Sequence, residues 1–174
     1  DSKNRKILEK KYNKIDSRFL FINSGFNFRP TDIQAAIGLS QFKSLDNFVR
    51  QRSINRKKIV NALIKDKLWN NQVSFLNENT NVKASWFGIP ILCNKKYKSI
   101  KFNIMKKLNY FGIDTRPIIS GNFARQPAIS KYNIIKKGML FPNADHINNL
   151  GFFIGLPQDK ISLEMIKKFK NAFF

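Results

Sequence analysis

The sequence predicts an α/β fold, with a small sheet and helices largely on one side of it. Apolar residues recur at three- and four-residue steps in several segments, which is typical of amphipathic helices. Short runs of branched and aromatic residues lie between these segments and predict strands. The 174 residues, 43% of them hydrophobic, suffice to bury one core of ordinary size.

The first thirty residues lead into a glycine turn. Residues 1–18 are polar and basic and are expected to form a loop or a frayed helix, whereas the apolar run Phe19–Ile22 predicts a short strand. Gly25 permits a sharp turn, after which Asn27 and Arg29 alternate with two phenylalanines. An amide and a guanidinium beside a helix start can form an anion site, but an ordinary loop with exposed polar residues explains the same pattern.

A long helical pattern follows this turn. Thr31 and Gln34 have the spacing of a capping box. From Thr31 to about Asp66, apolar residues repeat every three or four positions, and neither Gly nor Pro interrupts the pattern after Gly38. The sequence therefore predicts one long helix over 31–66, which must cross a whole domain or connect two.

The rest of the chain supplies the predicted sheet. Strands are predicted at four places: around Val73–Leu76, Ala84–Cys93, Ile113–Ile119 and Gly151–Leu156. A helix is predicted over Tyr97–Tyr110, with Gly112 as its C-cap, and a terminal helix is predicted to begin after Ser162 as its N-cap.

The charge balance is strongly basic. Lys and Arg number 32 against 11 for Asp and Glu, which gives a formal net charge of +21. Such a charge fits a nucleic-acid-binding module, an anionic membrane surface or a phosphorylated ligand. The lysines are scattered as pairs along helical segments, however, which favours solvated helix faces over a nucleic-acid surface.

Few residues suggest self-contained catalysis. Cys93 is the one cysteine and follows an apolar run, so it is expected to be a buried structural thiol in a reducing cytoplasm. His146 is the one histidine, and a lone histidine beside an aspartate is more often structural than catalytic. The sequence shows no His/Cys spacing for a metal and no apolar run long enough for a membrane-spanning helix.

A polar cluster near the third predicted strand offers the best candidate site. Arg116, Asn122 and Arg125 surround a glycine turn that also contains Ser120. Arginine binds phosphate through a two-pronged fork, and asparagine both donates and accepts hydrogen bonds. The same residues could instead form a loop whose arginines pair with nearby carboxylates or with solvent.

Four ordered motifs resemble the family of nucleotide-sugar aminotransferases and dehydratases, which are fold-type I enzymes dependent on pyridoxal phosphate (PLP) or pyridoxamine phosphate (PMP). The motifs are Gly25–Gln41, Ser85–Pro90, Gly112–Pro127 and Asn143–Gly155. Within the family, the Trp-Phe-Gly-Ile-Pro and Gly-Asn-Phe-Ala-Arg-Gln-Pro elements resemble the branch of 4-keto-6-deoxysugar 3-dehydratases of lipopolysaccharide biosynthesis.

The resemblance implies a division of the chain and a set of site residues. Residues 1–30 would end the large cofactor domain, 31–66 would be the connecting helix and 67–174 the small carboxy-terminal domain. The family forms homodimers with shared active sites, in which Asn27 would reach the partner's cofactor phosphate. Five residues would face the substrate: Arg29, Arg116, Ser120, Asn122 and Arg125.

The implied reaction removes the C3 hydroxyl of a CDP- or GDP-4-keto-6-deoxyhexose, with the cofactor as the electron sink. The histidine or lysine that anchors the cofactor in the family is expected upstream of this chain, so the chain alone is expected to be inactive. Three alternatives remain open: a 4-keto-sugar aminotransferase of the same fold, a basic nucleic-acid-binding module, and a non-catalytic remnant of such an enzyme. The dehydratase interpretation implies a nucleotide-sugar substrate as the partner, and neither a nucleic acid nor a membrane.

Overall fold

The structure is a computed structural model that describes residues 2–23, 25, 31–97, 99–132, 134–135 and 138–174. It divides into two compact units. The first unit contains Asp1–Asn27 and Pro117–Gly151, and the second contains Phe28–Arg116 and Phe152–Phe174. The predicted division at residues 30 and 66 concerns the complete protein and stays a prediction.

Helices and strands both occur along the described residues, as the sequence predicts. The helices are α1 (Ser2–Lys11), α2 (Asp32–Phe42), α3 (Leu45–Ile64), α4 (Ile100–Tyr110), α5 (Pro142–Leu150) and α6 (Leu163–Asn171). The strands are β1 (Val73–Phe75), β2 (Gly88–Cys93), β3 (Thr115–Arg116) and β4 (Gly151–Gly155). Short 3-10 helices occupy Ser17–Phe19, Lys95–Tyr97, Phe123–Arg125 and Pro127–Tyr132.

The predicted strand at Phe19–Ile22 is wrong. Phe19 ends a 3-10 helix that begins after Asp16, whose side chain accepts a hydrogen bond from the Arg18 amide. The next residues satisfy their backbone through Gln126 instead of a neighbouring strand: Phe21 N–H donates to Gln126 Oε1, and Gln126 Nε2 donates to Phe19 O, both at 2.9 Å. A buried side-chain amide thus replaces the strand partner.

The second unit contains most of the sheet, in the order β1-β2-β4-β3. β1 pairs antiparallel with β2, with Val73 opposite Cys93, and β3 pairs antiparallel with β4, with Thr115 opposite Ile154. β2 begins at Gly88 instead of Ala84, and a Cβ at Gly88 would lie 2.7 Å from the Ile154 carbonyl oxygen. β3 is shorter than predicted because Pro117, which has no N–H, follows it directly.

The core of this unit lies between the sheet and the helices. Ile89, Ile91 and Cys93 of β2 are fully buried together with Phe152 of β4. α3 contributes Ile59, Val60 and Leu63, α4 contributes Ile104 and Leu108, and α6 contributes Phe169. These buried residues lie at the apolar spacing that predicts the helices, whereas Leu45 at the start of α3 and Leu163 at the start of α6 are exposed.

The predicted single helix over 31–66 is two helices, with a turn at Lys43 and Ser44. Ser44 N–H donates to Gln41 O, and Ser44 O accepts from Phe48 at the start of α3. The apolar repeat keeps the same spacing on both sides of the turn, so periodicity alone did not reveal it. At the start of α2, Thr31 N–H donates to Gln34 Oε1 at 2.8 Å, which forms the glutamine half of the predicted capping box.

Both predicted helix caps near the sheet are confirmed. Gly112 has φ +76° and follows α4; its N–H donates to Asn109 O, and Ile113 N–H donates to Leu108 O, which is a Schellman motif. Ser162 Oγ accepts a hydrogen bond from Met165 N–H at the start of α6. Local side-chain chemistry therefore sets these ends.

A buried asparagine joins α3 to the segment before α6. Asn55 is fully buried, and its Nδ2 donates to the carbonyl oxygens of Pro157 and Asp159 at 3.1 and 2.7 Å. Its Oδ1 accepts from Gln51 Nε2 at 2.9 Å. Asn55 thus ties α3 to the loop before α6 through two backbone carbonyl groups.

Candidate functional site

The candidate site is the loop 118–126 of the first unit, which begins with an unusual turn. Gly121 N–H donates to Ile118 O at 2.8 Å. Gly121 has φ +61°, and Ile119 has φ +45°, which is rare for a β-branched residue. The Ile119 side chain is 62% exposed, so core packing does not hold this conformation. Ser120 lies between these two residues at the outer part of the turn.

Close packing against α5 fixes the turn. A Cβ on Gly121 would lie 2.8 Å from Asn148 Cα, so only glycine fits without a shift. At the end of α5, a Cβ on Gly151 would lie 2.6 Å from Ile147 O and 2.7 Å from Ile118 Cδ1. The loop therefore packs closely against α5 both before and after Ile119, at Ile118 and at Gly121.

Asp145 of α5 brings Asn122 and Arg125 together. Asn122 Nδ2 donates to Asp145 Oδ1 at 2.7 Å, and Asn122 Oδ1 accepts from Ala124 N–H at 3.0 Å. Arg125 Nε donates to Asp145 Oδ1 at 3.0 Å and Arg125 Nη2 to Oδ2 at 2.8 Å. Asn122 is only 2% exposed, whereas the Arg125 side chain is 61% exposed.

The ion pair keeps both groups charged. The hydrogen bond from Arg125, followed by that from Asn122, lowers the pKa of the Asp145 carboxyl. Asp145 in turn raises the pKa of Arg125. Chemically, this arrangement holds an exposed guanidinium in one orientation, which suits recognition of an anionic or polar ligand.

The predicted site residues fall into three groups. Ser120, Asn122 and Arg125 share one loop, and two of them are joined through Asp145. Arg116 belongs to the second unit, where its Nε donates to Asp114 Oδ2 at 3.2 Å. Asn27 and Arg29 lie outside the described residues.

Arg116 lines a cavity of about 390 Å³ within the second unit. Its other walls are mainly apolar, with Ile59, Phe153, Ile161 and Phe169. The Phe87 and Phe153 rings meet edge to face, with centroids 5.7 Å apart. The Asp114–Arg116 ion pair is the main polar feature of this cavity.

Other candidates from the sequence have structural roles or offer no site. Cys93 is fully buried, and burial raises the pKa of its thiol to about 11, which confirms the expected structural thiol. Within the ranges that the structure describes, no group of His, Cys, Asp and Glu could hold a metal ion. None of the helices in those ranges is long and apolar enough to cross a membrane.

Sequence reasoning missed Asp145 and Asn148, and it predicted no helix at α5. Pro142 at the first turn is a helix-start signal that could have located α5. A helix there would have placed Asp145 and Asn148 three residues apart, near one another along the helix. Their contacts with the loop span 20 residues of sequence or more, so no local pattern indicates them.

Comparison with solved structures identifies the fold as part of a PLP-dependent transferase of the aminotransferase type. The chain superposes on GDP-4-keto-6-deoxy-D-mannose-3-dehydratase of E. coli with bound hydrated PLP, with a TM-score of 0.70, 26% identity, and coverage of 90% of this chain and 39% of that chain. A GDP-4-keto-6-deoxymannose-3-dehydratase mutant with bound GDP-perosamine gives a TM-score of 0.71 at 26% identity and the same coverage.

The chain belongs to the DegT/DnrJ/EryC1/StrS aminotransferase family, whose sequence profile matches residues 3–168. Among curated proteins it is similar to GDP-4-keto-6-deoxy-D-mannose 3-dehydratase of Yersinia pseudotuberculosis, with 28% identity over 95% of this chain and 39% of that protein. The protein of the same name from Escherichia coli O55:H7 is 30% identical over 88% of this chain and 38% of its own length. The chain therefore spans about two fifths of the relatives that it matches.

Proposed function

We propose that this chain is the carboxy-terminal portion of a PLP- or PMP-dependent nucleotide-sugar 3-dehydratase. The complete protein would act on a GDP- or CDP-4-keto-6-deoxyhexose in deoxysugar biosynthesis for lipopolysaccharide, in the cytoplasm. One observation carries the proposal: sequence and fold both match proteins named for this activity over nearly the whole chain. A Salmonella typhimurium relative, 29% identical over 81% of this chain, is named a lipopolysaccharide biosynthesis protein.

A 4-keto-sugar aminotransferase is the second candidate. The family carries the aminotransferase name, and several solved aminotransferases share the fold at lower identity, among them Helicobacter pylori PseC at 21%. Likeness at that level supports the fold alone. The dehydratase is favoured because the relatives with the higher identities carry that name.

The site residues are proposed with the following roles. Asn27 would donate to the cofactor phosphate of the partner subunit, and Arg29, Arg116, Ser120 and Arg125 would face the substrate. The Asn122 side chain is engaged at both ends, by Asp145 of α5 and by the Ala124 amide of the loop, so Asn122 would serve the substrate by holding the loop against α5. Arg125 is the member of the loop whose charged group is exposed.

Binding of the cofactor phosphate is proposed for none of the described residues. Asp145 already binds Nε and Nη2 of Arg125, so the role proposed for Arg125 is directional hydrogen bonding to the substrate and not binding of the cofactor phosphate. The cofactor would supply the electron sink for loss of the C3 hydroxyl. We propose that the cofactor is anchored by Asn27 and by the part of the complete protein that this chain does not include.

Helix α2 supports a larger assembly. None of its residues is buried, although four of them are large and hydrophobic. Each of the four is at least 60% exposed: Ile33, Ile37, Leu39 and Phe42. These residues are spread around the helix, and helices that are apolar all round are normally buried. We propose that α2 is covered in a homodimer with shared active sites.

Product analysis of the complete protein tests the proposed reaction. The protein would be incubated with PMP and GDP-4-keto-6-deoxymannose, and the sugar product examined by mass spectrometry and NMR. A dehydratase yields a sugar with a methylene at C3 and the keto group retained at C4. An amino group at C4 with the C3 hydroxyl intact would establish the aminotransferase instead. If the sugar stays unchanged with this substrate and with its CDP-linked counterpart, both proposed reactions are contradicted.

A further inference from the structure

We infer that Asp145 is a positioning residue that aims Arg125 at the substrate, so that Arg125 acts as a directed hydrogen-bond donor and not as a free cation. The inference rests on the proposed function, which places Arg125 toward the nucleotide sugar. Asp145 itself would touch neither the sugar nor the cofactor.

The contacts of Asp145 fix the plane of the guanidinium. Each carboxylate oxygen accepts one N–H of Arg125, at 3.0 Å for Nε and 2.8 Å for Nη2. Two parallel bonds of this kind define both the position and the orientation of the group, whereas one bond would leave it free to swing. Because the Arg125 side chain is 61% exposed, an unpaired guanidinium here would sample many rotamers.

The support behind Asp145 is itself rigid. Asp145 lies within α5, and its Oδ1 also accepts from Asn122 Nδ2 at 2.7 Å. Asn122 is buried, and its Oδ1 accepts from the Ala124 amide, one residue before Arg125. Gly121 packs directly against Asn148 on the same helix. The loop is therefore held to α5 at its turn and at its arginine.

The pairing also changes what Arg125 contributes electrically. The formal net charge of the chain is +21, so an anionic ligand is attracted to it whatever the state of one arginine. The Arg125–Asp145 pair is neutral as a unit. Recognition by Arg125 then depends on the direction of its remaining N–H groups, which distinguishes correctly placed ligand oxygens from anions in general.

The test compares Asp145→Asn with a matched control in the complete enzyme. Asparagine keeps the shape of aspartate but removes one acceptor and the charge. We expect Asp145→Asn to raise KM for the nucleotide sugar about tenfold, to leave kcat within about twofold, and to make KM more sensitive to salt. The control is Asp16→Asn, because Asp16 pairs with both Nε and Nη2 of Arg18 in the same unit, at 3.1 and 3.0 Å. The control should change none of these values.

Several results would overturn the inference. If Asp145→Asn lowers thermal stability and kcat but leaves KM and its salt dependence unchanged, the role of Asp145 is merely structural. Arg125→Ala that raises KM while Asp145→Asn does not would leave the proposed function intact but remove the positioning role. Arg125→Ala with an unchanged KM would remove the substrate role of Arg125, while product analysis would still decide the reaction.

A second measurement does not depend on turnover. The Nε–H of Arg125 should exchange slowly with solvent in NMR spectra of the unsubstituted protein, because it is bonded to the carboxylate. In Asp145→Asn its exchange should become at least about tenfold faster. Fast exchange in the unsubstituted protein would contradict a fixed guanidinium and overturn the inference.

Discussion

At the scale of single residues, the carboxylate of Asp145 makes the candidate loop sensitive to acid. Arg125 is the charged group bonded to it, and this bond lowers the pKa of Asp145 in the folded protein. A carboxyl group whose pKa is lowered by folding stabilises the fold at pH values above its ordinary pKa. This contribution is lost as the pH falls through the pKa that the group has in the folded protein. Protonation of Asp145 would therefore release both Arg125 and Asn122.

The lowered pKa of Asp145 can be measured by pH titration with NMR. The Asp145 carboxyl should titrate with a midpoint below the ordinary value of about 3.9. Arg125→Met, which keeps the aliphatic stem without the charge, should move the midpoint upward because it removes the largest cause of the shift. Equal midpoints in the two proteins would contradict the assigned ion pair.

At the scale of elements, α3 and α6 depend on a polar group in an apolar interface. Ile59 and Leu63 of α3 and Phe169 of α6 are buried, yet Asn55 lies fully buried beside them. Its amide bonds the carbonyl groups of Pro157 and Asp159, just before α6 begins. Removing the amide would break these hydrogen bonds, each worth about 1 kcal/mol, and leave an empty space at a fully buried position.

We expect Asn55→Ala to lower the free energy of unfolding by about 3 kcal/mol. Chemical denaturation of the complete protein measures this change. Asn61→Ala is the matched control, because Asn61 lies on the same helix with an exposed side chain and should change the value by less than about 0.5 kcal/mol. Equal effects of the two substitutions would show that Asn55 does not hold the segment before α6.

At the scale of the whole molecule, the apolar surface of α2 supports the proposal that this chain functions within a larger assembly. Phe42 is 70% exposed and Ile37 is 60% exposed, in a helix with no buried residue. The chain also spans only about 39% of its Yersinia relative. Both facts agree with the proposal that further protein covers α2.

We expect Ile37→Glu combined with Phe42→Glu to dissociate the proposed homodimer of the complete protein, because burying two new carboxylates is costly. Sedimentation velocity would show the loss of the dimer. Phe102→Glu on α4 is the control, since Phe102 is 73% exposed but lies outside α2. If the double substitution destabilises the protein without dissociating it, α2 is covered by the same chain and the dimer proposal is wrong.

The sequence by itself determined the features that depend on neighbours along the chain. The α/β class and the caps at Gly112 and Ser162 follow from periodicity and turn chemistry, and the family follows from the resemblance of four ordered motifs. The single long helix was wrong because the turn at Lys43 and Ser44 leaves the apolar spacing intact. Asn122 and Arg125 were candidates from their motif alone.

The tertiary structure decided what those candidates contact. Asp145 meets Arg125 from 20 residues away in sequence, and Gln126 replaces a strand partner for residues 105 and 107 positions away. Hydrogen bonds of this kind form only when folding brings distant segments together, so periodicity contains no trace of them. For the same reason the partners of Asn55 could not be predicted from the apolar pattern of α3.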